Sequence, residues 1–422
     1  MKKMNTSPIS GMQEFLPGTQ AIFDKIKGKI VEVYHRHGFL NIETPTIDRI
    51  DILLAKAGGD TEKQIYKVIK TAEANDDADQ ALRFDHTVPL ARYVVEHEND
   101  LAFPFKVSQI GRNFRGERAQ KGRFREFYQC DVDVIGRGNL PIEYDADVIS
   151  TLLDAYKNFI STPVIARISN RKILTGLVDA LGVAEKTSAI CNVIDHAEKV
   201  APEETRSALE ELGLSDEIVD KVLDFIDICG NGAEVVAKLE GFGIQNEVFN
   251  EGVKEIDTVL SLLEADGFSD LAIADMKIVR GLDYYTGTVF EFCMPDYKQI
   301  GSVGGGGRYE NLAGYFTEQK LPGVGGSIGL SRLFYVLNEN NLVESQTEKS
   351  VDYAVIPMSE AQVNFALKVA KELRDKNNSA TVVYAGKKLG DKLTYAAKIA
   401  KNGIVIGENE VNSGEYQIKT FN

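Results

Sequence analysis

Two strand-like segments joined by a long polar loop restrict the fold of this chain more than any other feature. The segments are residues 105–116 and 123–136, and Glu-Arg-Ala-Gln-Lys-Gly connects them. Such a pattern is typical of a β-hairpin, so we expect an antiparallel strand pair. Residues 112–125, here called the basic hairpin segment, hold six basic residues and one acidic residue. This concentration of positive charge favours a local anionic ligand.

The composition of the 422 residues excludes several classes of protein. A net charge of −15 argues against a protein that coats nucleic acid non-specifically. No run approaches the ~20 apolar residues of a membrane span, and no apolar run of signal-peptide length follows the Met-Lys-Lys-Met start. The four cysteines are far apart and the five histidines lack metal spacing. We therefore expect free thiols in a reducing cytoplasm and no zinc site.

The sequence pattern changes along the chain and indicates several regions. Residues 19–37 predict an amphipathic helix, and a strand ending at Pro45 follows. Charged helical stretches such as 206–229 fill residues 145–265, and residues 171–266 hold 21 acidic and 8 basic side chains. Glycine-rich strands occupy 278–328, with a helix at 330–337. Beyond a polar linker at 338–350, the alternation of strand and helix patterns predicts a small α/β domain. The predicted strands are 351–357, 380–385 and two near Ile404 and Tyr416, and the predicted helices are 360–375 and 389–400.

Four segments hold residues suited to chemistry, and each has a plainer explanation. The basic hairpin segment could bind phosphate through arginine and stack a purine on phenylalanine, or it could be a solvated loop. Val-Arg-Gly-Leu-Asp-Tyr-Tyr-Thr-Gly-Thr-Val-Phe-Glu-Phe (279–292) offers a charge and two polar aromatic side chains, or a half-buried hairpin. The four glycines of 304–307 permit close approach of a ligand, or form a flexible turn. Arg332 begins a helix and could reach a phosphate, or lie on the surface.

Taken together and in this order, these segments resemble the three motifs of class II aminoacyl-tRNA synthetases. The strand ending at Pro45 is similar to motif 1, Phe-Arg-Gly-Glu-Arg through Arg-Phe-Arg-Glu-Phe (114–127) to motif 2, and Gly-Leu-Ser-Arg (329–332) to motif 3. Arg-Gly-Leu-Asp-Tyr-Tyr (280–285) and Arg-Glu-Phe-Tyr-Gln-Cys-Asp-Val-Asp (125–133) resemble segments specific to the histidyl-tRNA synthetase family. The resemblance extends from Gly11 to near the C-terminus, and class I motifs are absent.

The resemblance implies a fold and a reaction. The expected fold is α+β: an antiparallel class II sheet flanked by helices (residues 1–345), a helical insertion at about 170–265, and an anticodon-binding-like α/β domain (351–422) shortened at its C-terminal end. The expected reaction activates L-histidine with ATP and Mg²⁺ to histidyl-adenylate and transfers it to the 3′ end of tRNA(His). The family also implies a homodimer, with the Pro45 strand at the subunit interface.

The family's functional residues are carried over position by position. The resemblance assigns histidine binding to Asp85, Thr87, Arg115, Gln129, Asp133, Arg280, Tyr284 and Tyr285, with Asp85 and Thr87 on the α-amino group and Asp133 and Tyr285 on the imidazole. It assigns ATP binding to Arg115, Glu117, Arg123, Phe127 and Arg332. The catalytic group is Arg280, Arg115 and Gln129. The acceptor end of tRNA is expected to contact Arg118, Gln120 and Lys121.

Three departures from the family pattern stand beside two rival interpretations. Ser331 replaces an acid, Gly11-Met12-Gln13-Glu14-Phe15-Leu16-Pro17 replaces a Gly-Thr-Arg-Asp pattern before Leu-Pro, and the chain stops at Asn422, where relatives continue. The acidic insertion also has few basic residues for an acceptor stem. One rival is a synthetase-like regulatory subunit of ATP phosphoribosyltransferase, which usually lacks the anticodon domain and the 280–285 segment. The other is a paralog that binds histidine or makes the adenylate without charging tRNA.

Overall fold

The computed structural model describes residues 4–55, 59–71, 78–279, 285–310, 313–343, 349–386 and 388–421. The chain divides into two compact units. The larger consists of Met1–Gln13 and Ile26–Leu342, and the smaller of Glu14–Lys25 and Val343–Asn422. Within the described residues, no helix combines the length and apolar character needed to cross a bilayer.

The helices and strands are numbered in chain order. The helices are α1 Pro17–Arg36, α2 Ile50–Leu53, α3 Gly59–Gln64, α4 Thr87–Glu96, α5 Glu143–Phe159, α6 Arg171–Ala180, α7 Thr187–His196, α8 Pro202–Glu211, α9 Asp216–Ile226, α10 Gly232–Gly241, α11 Glu247–Ala265, α12 Leu330–Glu339, α13 Val363–Asp375, α14 Leu389–Ile399 and α15 Glu408–Ser413. The strands are β1 Leu40–Asn41, β2 Ile47–Arg49, β3 Lys67–Val68, β4 Gln80–Leu82, β5 Phe105–Phe114, β6 Glu126–Ile135, β7 Ile165–Asn170, β8 Cys229–Gly230, β9 Ala272–Asp275, β10 Thr288–Cys293, β11 Gly304–Tyr309, β12 Gly323–Ile328, β13 Val351–Pro357, β14 Ala380–Val382, β15 Ala400–Ile406 and β16 Lys419–Thr420.

A nine-stranded sheet forms the core of the larger unit. Its strand order is β1-β5-β6-β12-β11-β10-β7-β9-β8. All neighbours pair antiparallel except β1 with β5 and β7 with β9. The predicted hairpin is confirmed, because β5 and β6 pair antiparallel from Phe105 opposite Ile135 to Phe114 opposite Glu126. The α+β class and the predominantly antiparallel sheet are also as expected.

The helices of the larger unit bury their apolar sides and leave charged sides exposed. In α5, Ile149, Leu152 and Leu153 have no solvent exposure. The acidic region from α6 to α11 is helical, as predicted, although residues 206–229 form two helices rather than one stretch. The break lies at Gly213, whose φ of +71° is a left-handed conformation that favours glycine.

The smaller unit contains a separate four-stranded sheet. Its order is β14-β13-β15-β16, with β13 parallel to β14 and β15, and β16 antiparallel to β15. Val355, Ile404 and Ile406 pack with residues of α13 in one apolar cluster, which agrees with the predicted α/β domain. The strand predicted near Tyr416 is wrong, since the last strand is Lys419–Thr420 and the helix Glu408–Ser413 precedes it.

Candidate functional site

Two adjoining recesses lie over the centre of the sheet. The carboxylate recess is lined by Asp85, Thr87, Asp131, Asp133, Tyr309, Gly325 and Gly326. The arginine recess is lined by Glu117, Gly122, Arg123, Phe124, Phe127, Tyr128, Phe290, Ser302, Val303, Gly304, Gly306, Gly329 and Arg332. Both share Arg115, Gln129, Tyr285, Gly305 and Ser327. A ligand in one recess would therefore meet a ligand in the other at Arg115 and Gln129.

The start of α4 supplies one wall of the carboxylate recess. Asp85 precedes the helix, and its Oδ1 accepts a hydrogen bond of 3.1 Å from the backbone N–H of Val88. This bond satisfies a donor of the first helical turn that has no partner within the helix. Burial, opposed by this bond and by Arg115, raises the pKa of Asp85. Together with the neighbouring Thr87, the carboxyl group is suited to accept hydrogen bonds from an ammonium group.

Asp133 lies at the bottom of the carboxylate recess. Its Oδ1 accepts a hydrogen bond of 2.9 Å from the Tyr309 hydroxyl. Burial, and then the neighbouring carboxylate of Asp131, raise the pKa of Asp133 to about 8. The side chain is only 4% exposed. Asp133 can therefore hold a proton near neutral pH and exchange it with a basic ligand.

Arg115 is held between two aromatic rings at the junction of the recesses. Its guanidinium carbon lies 4.4 Å from the ring centre of Phe84 and 5.0 Å from that of Phe127. Its Nε donates to the carbonyl of Phe84 at 3.4 Å. These contacts fix a planar cation whose remaining N–H groups suit carboxylate or phosphate oxygens.

Arg332 is anchored by backbone carbonyls. Its Nε donates to Gly122 at 3.2 Å and its Nη1 to Ser302 at 2.8 Å. The sequence predicted its place in the first turn of a helix, and it lies in α12. The neighbouring Ser331 accepts a hydrogen bond of 2.8 Å from the backbone N–H of Tyr128. Ser331 thus joins α12 to β6 without an acidic side chain.

The loop of the basic hairpin segment makes a tight turn. Gln120 and Arg123 exchange backbone hydrogen bonds of 3.1 and 3.0 Å, and Arg118, Gln120 and Lys121 are exposed around the turn. Arg123 precedes β6 and does not lie on the predicted strand. Its Nη1 is 3.6 Å from Glu117 Oε2 in the arginine recess. The exposed charges of this loop are available to an anionic macromolecule.

The N-terminal segment at Gly11 closes against the same loop. The backbone N–H of Arg125 donates to the carbonyl of Gly11 at 2.8 Å. Gly11 has a φ of +85°, and a Cβ atom there would lie 2.9 Å from Arg125 Cγ. Glycine is therefore required here both for the backbone conformation and for the close contact.

The structure brings together most of the residues proposed from the sequence. Those that line the two recesses are Asp85, Thr87, Arg115, Glu117, Arg123, Phe127, Gln129, Asp133, Tyr285 and Arg332. Arg280 and Tyr284 lie outside the described residues. The sequence reasoning missed Asp131, Tyr309 and Ser327. The Asp-Val-Asp spacing was a signal for Asp131, because alternate strand residues share a face.

The chain was compared with known proteins. The family model described as histidyl-tRNA synthetase matches residues 11–333, and the one described as anticodon binding domain matches residues 352–422. A histidine–tRNA ligase of Clostridium tetani is 43% identical, covering 100% of this chain and 95% of that protein. One of Finegoldia magna is 41% identical, covering 98% and 95%.

Solved structures show the same architecture. The crystal structure of histidyl-tRNA synthetase from Nostoc sp. PCC 7120 has a TM-score of 0.89 and 35% sequence identity, covering 99% of this chain and 95% of that one. A structure from Bacillus halodurans described as an ATP phosphoribosyltransferase regulatory subunit/histidyl-tRNA synthetase has a TM-score of 0.80 at 21% identity, which shows a shared fold alone. The family model matches most of the chain and the similar sequences cover nearly all of it, so this chain belongs to the histidyl-tRNA synthetase family.

Proposed function

We propose that the two recesses carry out the reaction of this family, in which L-histidine is activated by ATP to histidyl-adenylate and then transferred to the 3′ end of tRNA(His). The observation that carries this proposal is that Arg115 and Gln129 line both recesses. An amino acid in one recess and a nucleotide in the other would meet at these two side chains. Such proximity is a large part of what an enzyme of this kind contributes to a reaction between two substrates.

The carboxylate recess is the proposed histidine site. Asp85 and Thr87 accept hydrogen bonds from the α-ammonium group. Asp133, at the bottom of the recess, and Tyr285 bind the two ring nitrogens, because imidazole offers one donor and one acceptor. A ligand without these nitrogens would make neither hydrogen bond and would place an apolar group against the buried Asp133 carboxyl group, so leucine or phenylalanine is rejected. Tyr284 is proposed to belong to the same site by its position in the sequence motif.

The arginine recess is the proposed ATP site. The Phe127 ring stacks on adenine, and Glu117 lies on the adenine side. Arg332 and Arg123 bind the polyphosphate, for which the anchored guanidinium of Arg332 is suited by its planar donors. Arg115 binds the α-phosphate and the histidine carboxylate from its position between two aromatic rings.

The chemistry follows from this arrangement. A histidine carboxylate oxygen attacks the α-phosphorus, and the bond between that phosphorus and the diphosphate oxygen breaks. Arg115 stabilises the negative charge that develops on the α-phosphate, and Arg280 is proposed to add a second fixed positive charge. Gln129 orients the carboxylate. In the second step a terminal ribose hydroxyl of tRNA attacks the histidyl carbonyl carbon, and AMP departs.

Mg²⁺ is the proposed metal partner of ATP. It is usually held by substrate phosphates, waters and only one or two carboxylates, and it neutralises charge on the departing diphosphate. Glu117 is the one carboxylate among the described residues of the arginine recess, where it is paired with Arg123. Because Glu117 is assigned to the adenine side, the described donors fit an ion held mainly by the phosphates of ATP and by waters.

The tRNA contacts are proposed for two parts of the chain. The exposed Arg118, Gln120 and Lys121 contact the acceptor end beside the arginine recess. Residues 351–422 form the proposed anticodon-binding domain, which is supported by the family match over 352–422. The catalytic domain would then be residues 1–345, interrupted by the helical insertion at about 170–265.

A cytoplasmic homodimer is the proposed working form. Leu40, Ile47 and Ile69 are large apolar side chains with 60%, 43% and 43% exposure on either side of Pro45 in the sequence. A second copy covering this region would remove their apolar surface from water. The mass in solution tests this, because one chain is 46.5 kDa and a single-chain mass at working concentration contradicts the dimer. The cytoplasm is expected because tRNA and translation are found there.

The first test is ATP–diphosphate exchange with each amino acid, followed by charging of tRNA on the same sample. We expect exchange with histidine alone and charging of tRNA(His). Arg115→Ala should abolish exchange, whereas Arg112→Ala should not, because Arg112 lies near the end of β5, three residues before Arg115, but outside both recesses. Exchange without charging of tRNA would show that the protein forms the adenylate but does not transfer histidine to tRNA. No exchange with any amino acid would refute the catalytic proposal.

A further inference from the structure

A buried histidine separates the two residues proposed to bind the α-amino group. His86 lies between Asp85 and Thr87 at the N-cap position of α4, and it is 1% exposed. Its Nδ1 is 2.9 Å from Asp131 Oδ2, and a carboxylate can only accept, so Nδ1 carries the proton. Its Nε2 has no hydrogen-bond partner among the described residues. Among the described residues, the ring is therefore oriented by one polar contact, which is with Asp131.

The contact with Asp131 begins a continuous series of hydrogen bonds. The Ser327 hydroxyl donates to Asp131 Oδ1, and Gln129 Nε2 donates to Ser327 Oγ at 3.0 Å. Asn113 Nδ2 donates to Gln129 Oε1 at 2.8 Å. Asp131 is 5% exposed and lines the carboxylate recess.

The donor and acceptor roles in this series depend on one another. Because His86 and Ser327 both donate to Asp131, the Ser327 hydroxyl hydrogen is committed to that carboxylate. Ser327 Oγ must then accept from Gln129, which places the amide nitrogen of Gln129 beside Ser327 and its oxygen beside Asn113. The amide has a second N–H, which remains for a ligand in the recesses that Gln129 lines.

Losing the His86 donor would remove the constraint that fixes these roles. Without His86, Asp131 Oδ2 loses its donor, and the carboxylate can rotate away from Ser327. The Ser327 hydroxyl hydrogen is then no longer committed to Asp131 and can be donated to Gln129 instead. The Gln129 amide would then rotate and present its oxygen where its nitrogen had been.

We propose that His86 is a positioning residue for histidine activation, which acts through Asp131 and Ser327 to hold the Gln129 amide with an N–H directed at the histidine carboxylate. This inference rests on the function proposed above. It gives His86 a role different from that of its two neighbours in sequence. Asp85 and Thr87 touch the amino acid, whereas His86 determines how Gln129 touches it.

Two substitutions at one position test the proposal. His86→Leu removes the donor but keeps an apolar side chain, and His86→Asn places an amide N–H near the position of Nδ1. We expect His86→Leu to raise KM for histidine in ATP–diphosphate exchange by tenfold to about a hundredfold, as for loss of a hydrogen bond to a buried charge. KM for ATP should change less than threefold. His86→Asn should restore KM for histidine to within about threefold of the native value.

The controls separate positioning from folding. His97→Leu at the other end of α4 should leave both KM values unchanged, and thermal unfolding of all variants shows whether the fold is kept. Equal effects of the Leu and Asn variants, or parallel rises of both KM values, would overturn the proposal in favour of a structural role. Calorimetric titration of the native chain with histidine alone distinguishes the two proposals. If the native chain binds histidine and the His86 variants keep the native KM for histidine, only the role of His86 is refuted. If the native chain does not bind histidine, the proposed function is refuted as well.

Discussion

Asp133 gives the most specific prediction about histidine recognition. Its pKa of about 8 means that roughly nine-tenths of empty sites hold this proton at pH 7. Free histidine has a ring pKa of about 6.5 and enters mostly neutral at that pH. The complex of histidine with Asp133 therefore contains one proton that either the imidazole ring or the Asp133 carboxyl group can hold.

We expect the complex to keep this proton and to share it between the ring and Asp133. The charge of Asp131 opposes a second bare carboxylate in the recess, and an imidazolium would offset it. The native KM for histidine should then be level between about pH 6.5 and 8. Above pH 8 the empty site has lost the proton, so KM should rise tenfold per pH unit, or about tenfold from pH 7 to pH 9.

The assay is ATP–diphosphate exchange at several pH values, with Asp133→Asn as the comparison. Deprotonation of the substrate's amino group affects both proteins equally, so the ratio of native to variant KM isolates Asp133. We expect this ratio to rise about tenfold from pH 7 to pH 9. A ratio that stays constant would refute the reasoning. A native KM that falls about fivefold between pH 7 and 8 would show that the complex releases the proton.

Three further substitutions test other contacts. Gly325→Ala would place a Cβ atom 1.9 Å from Asp133 Oδ1, so we expect loss of histidine-dependent exchange. Circular dichroism should show that the variant still folds, and normal exchange would contradict this geometry. Phe127→Ala should raise KM for ATP about tenfold or more, as for loss of base stacking, with KM for histidine nearly unchanged; equal rises would contradict a stacking role. Arg308→Met leaves the fully buried Asp145 unpaired and should lower the free energy of unfolding by about 3–5 kcal/mol in a denaturant titration, and no loss would show that the pair does not stabilise the fold.

The parts of the fold that follow local patterns could be predicted from the sequence. The hairpin of β5 and β6 is long, and a polar loop marks its turn, so its existence followed directly. The ends of the two strands beside the loop could not be predicted, because residues 115–125 form a turn held by hydrogen bonds between Gln120 and Arg123 and do not extend the strands. Gly213 was a signal for the break between α8 and α9, but a single glycine is also tolerated within a helix. The end of the smaller unit is short and polar, and its final strand was misplaced for that reason.

The site depended on contacts that no local pattern reveals. Arg115, Gln129 and Asp133 could be proposed because they belong to one recognisable motif. Ser327 and Tyr309 lie on strands far along the chain, and only the sheet order places them beside Asp131 and Asp133. Ser331 shows the opposite case, because its departure from the family pattern was visible, but the bond that it accepts from Tyr128 was not.

The glycine run of 304–307 could be interpreted from the sequence as a flexible turn or as a point where a ligand approaches closely, and the structure excludes the turn. All four residues lie in β11, and their φ angles are not positive, so the run is not needed for backbone conformation. A Cβ atom on Gly306 would lie 2.0 Å from the carbonyl oxygen of Gly325, and one on Gly307 would lie 2.8 Å from Tyr285 Cδ1. Glycine is therefore needed at these two positions because neighbouring backbone and the Tyr285 ring approach too closely for a side chain. Alanine at either position would collide with a backbone carbonyl oxygen of a neighbouring strand, that of Gly325 or of Thr288, and would displace the sheet on which the recesses are built.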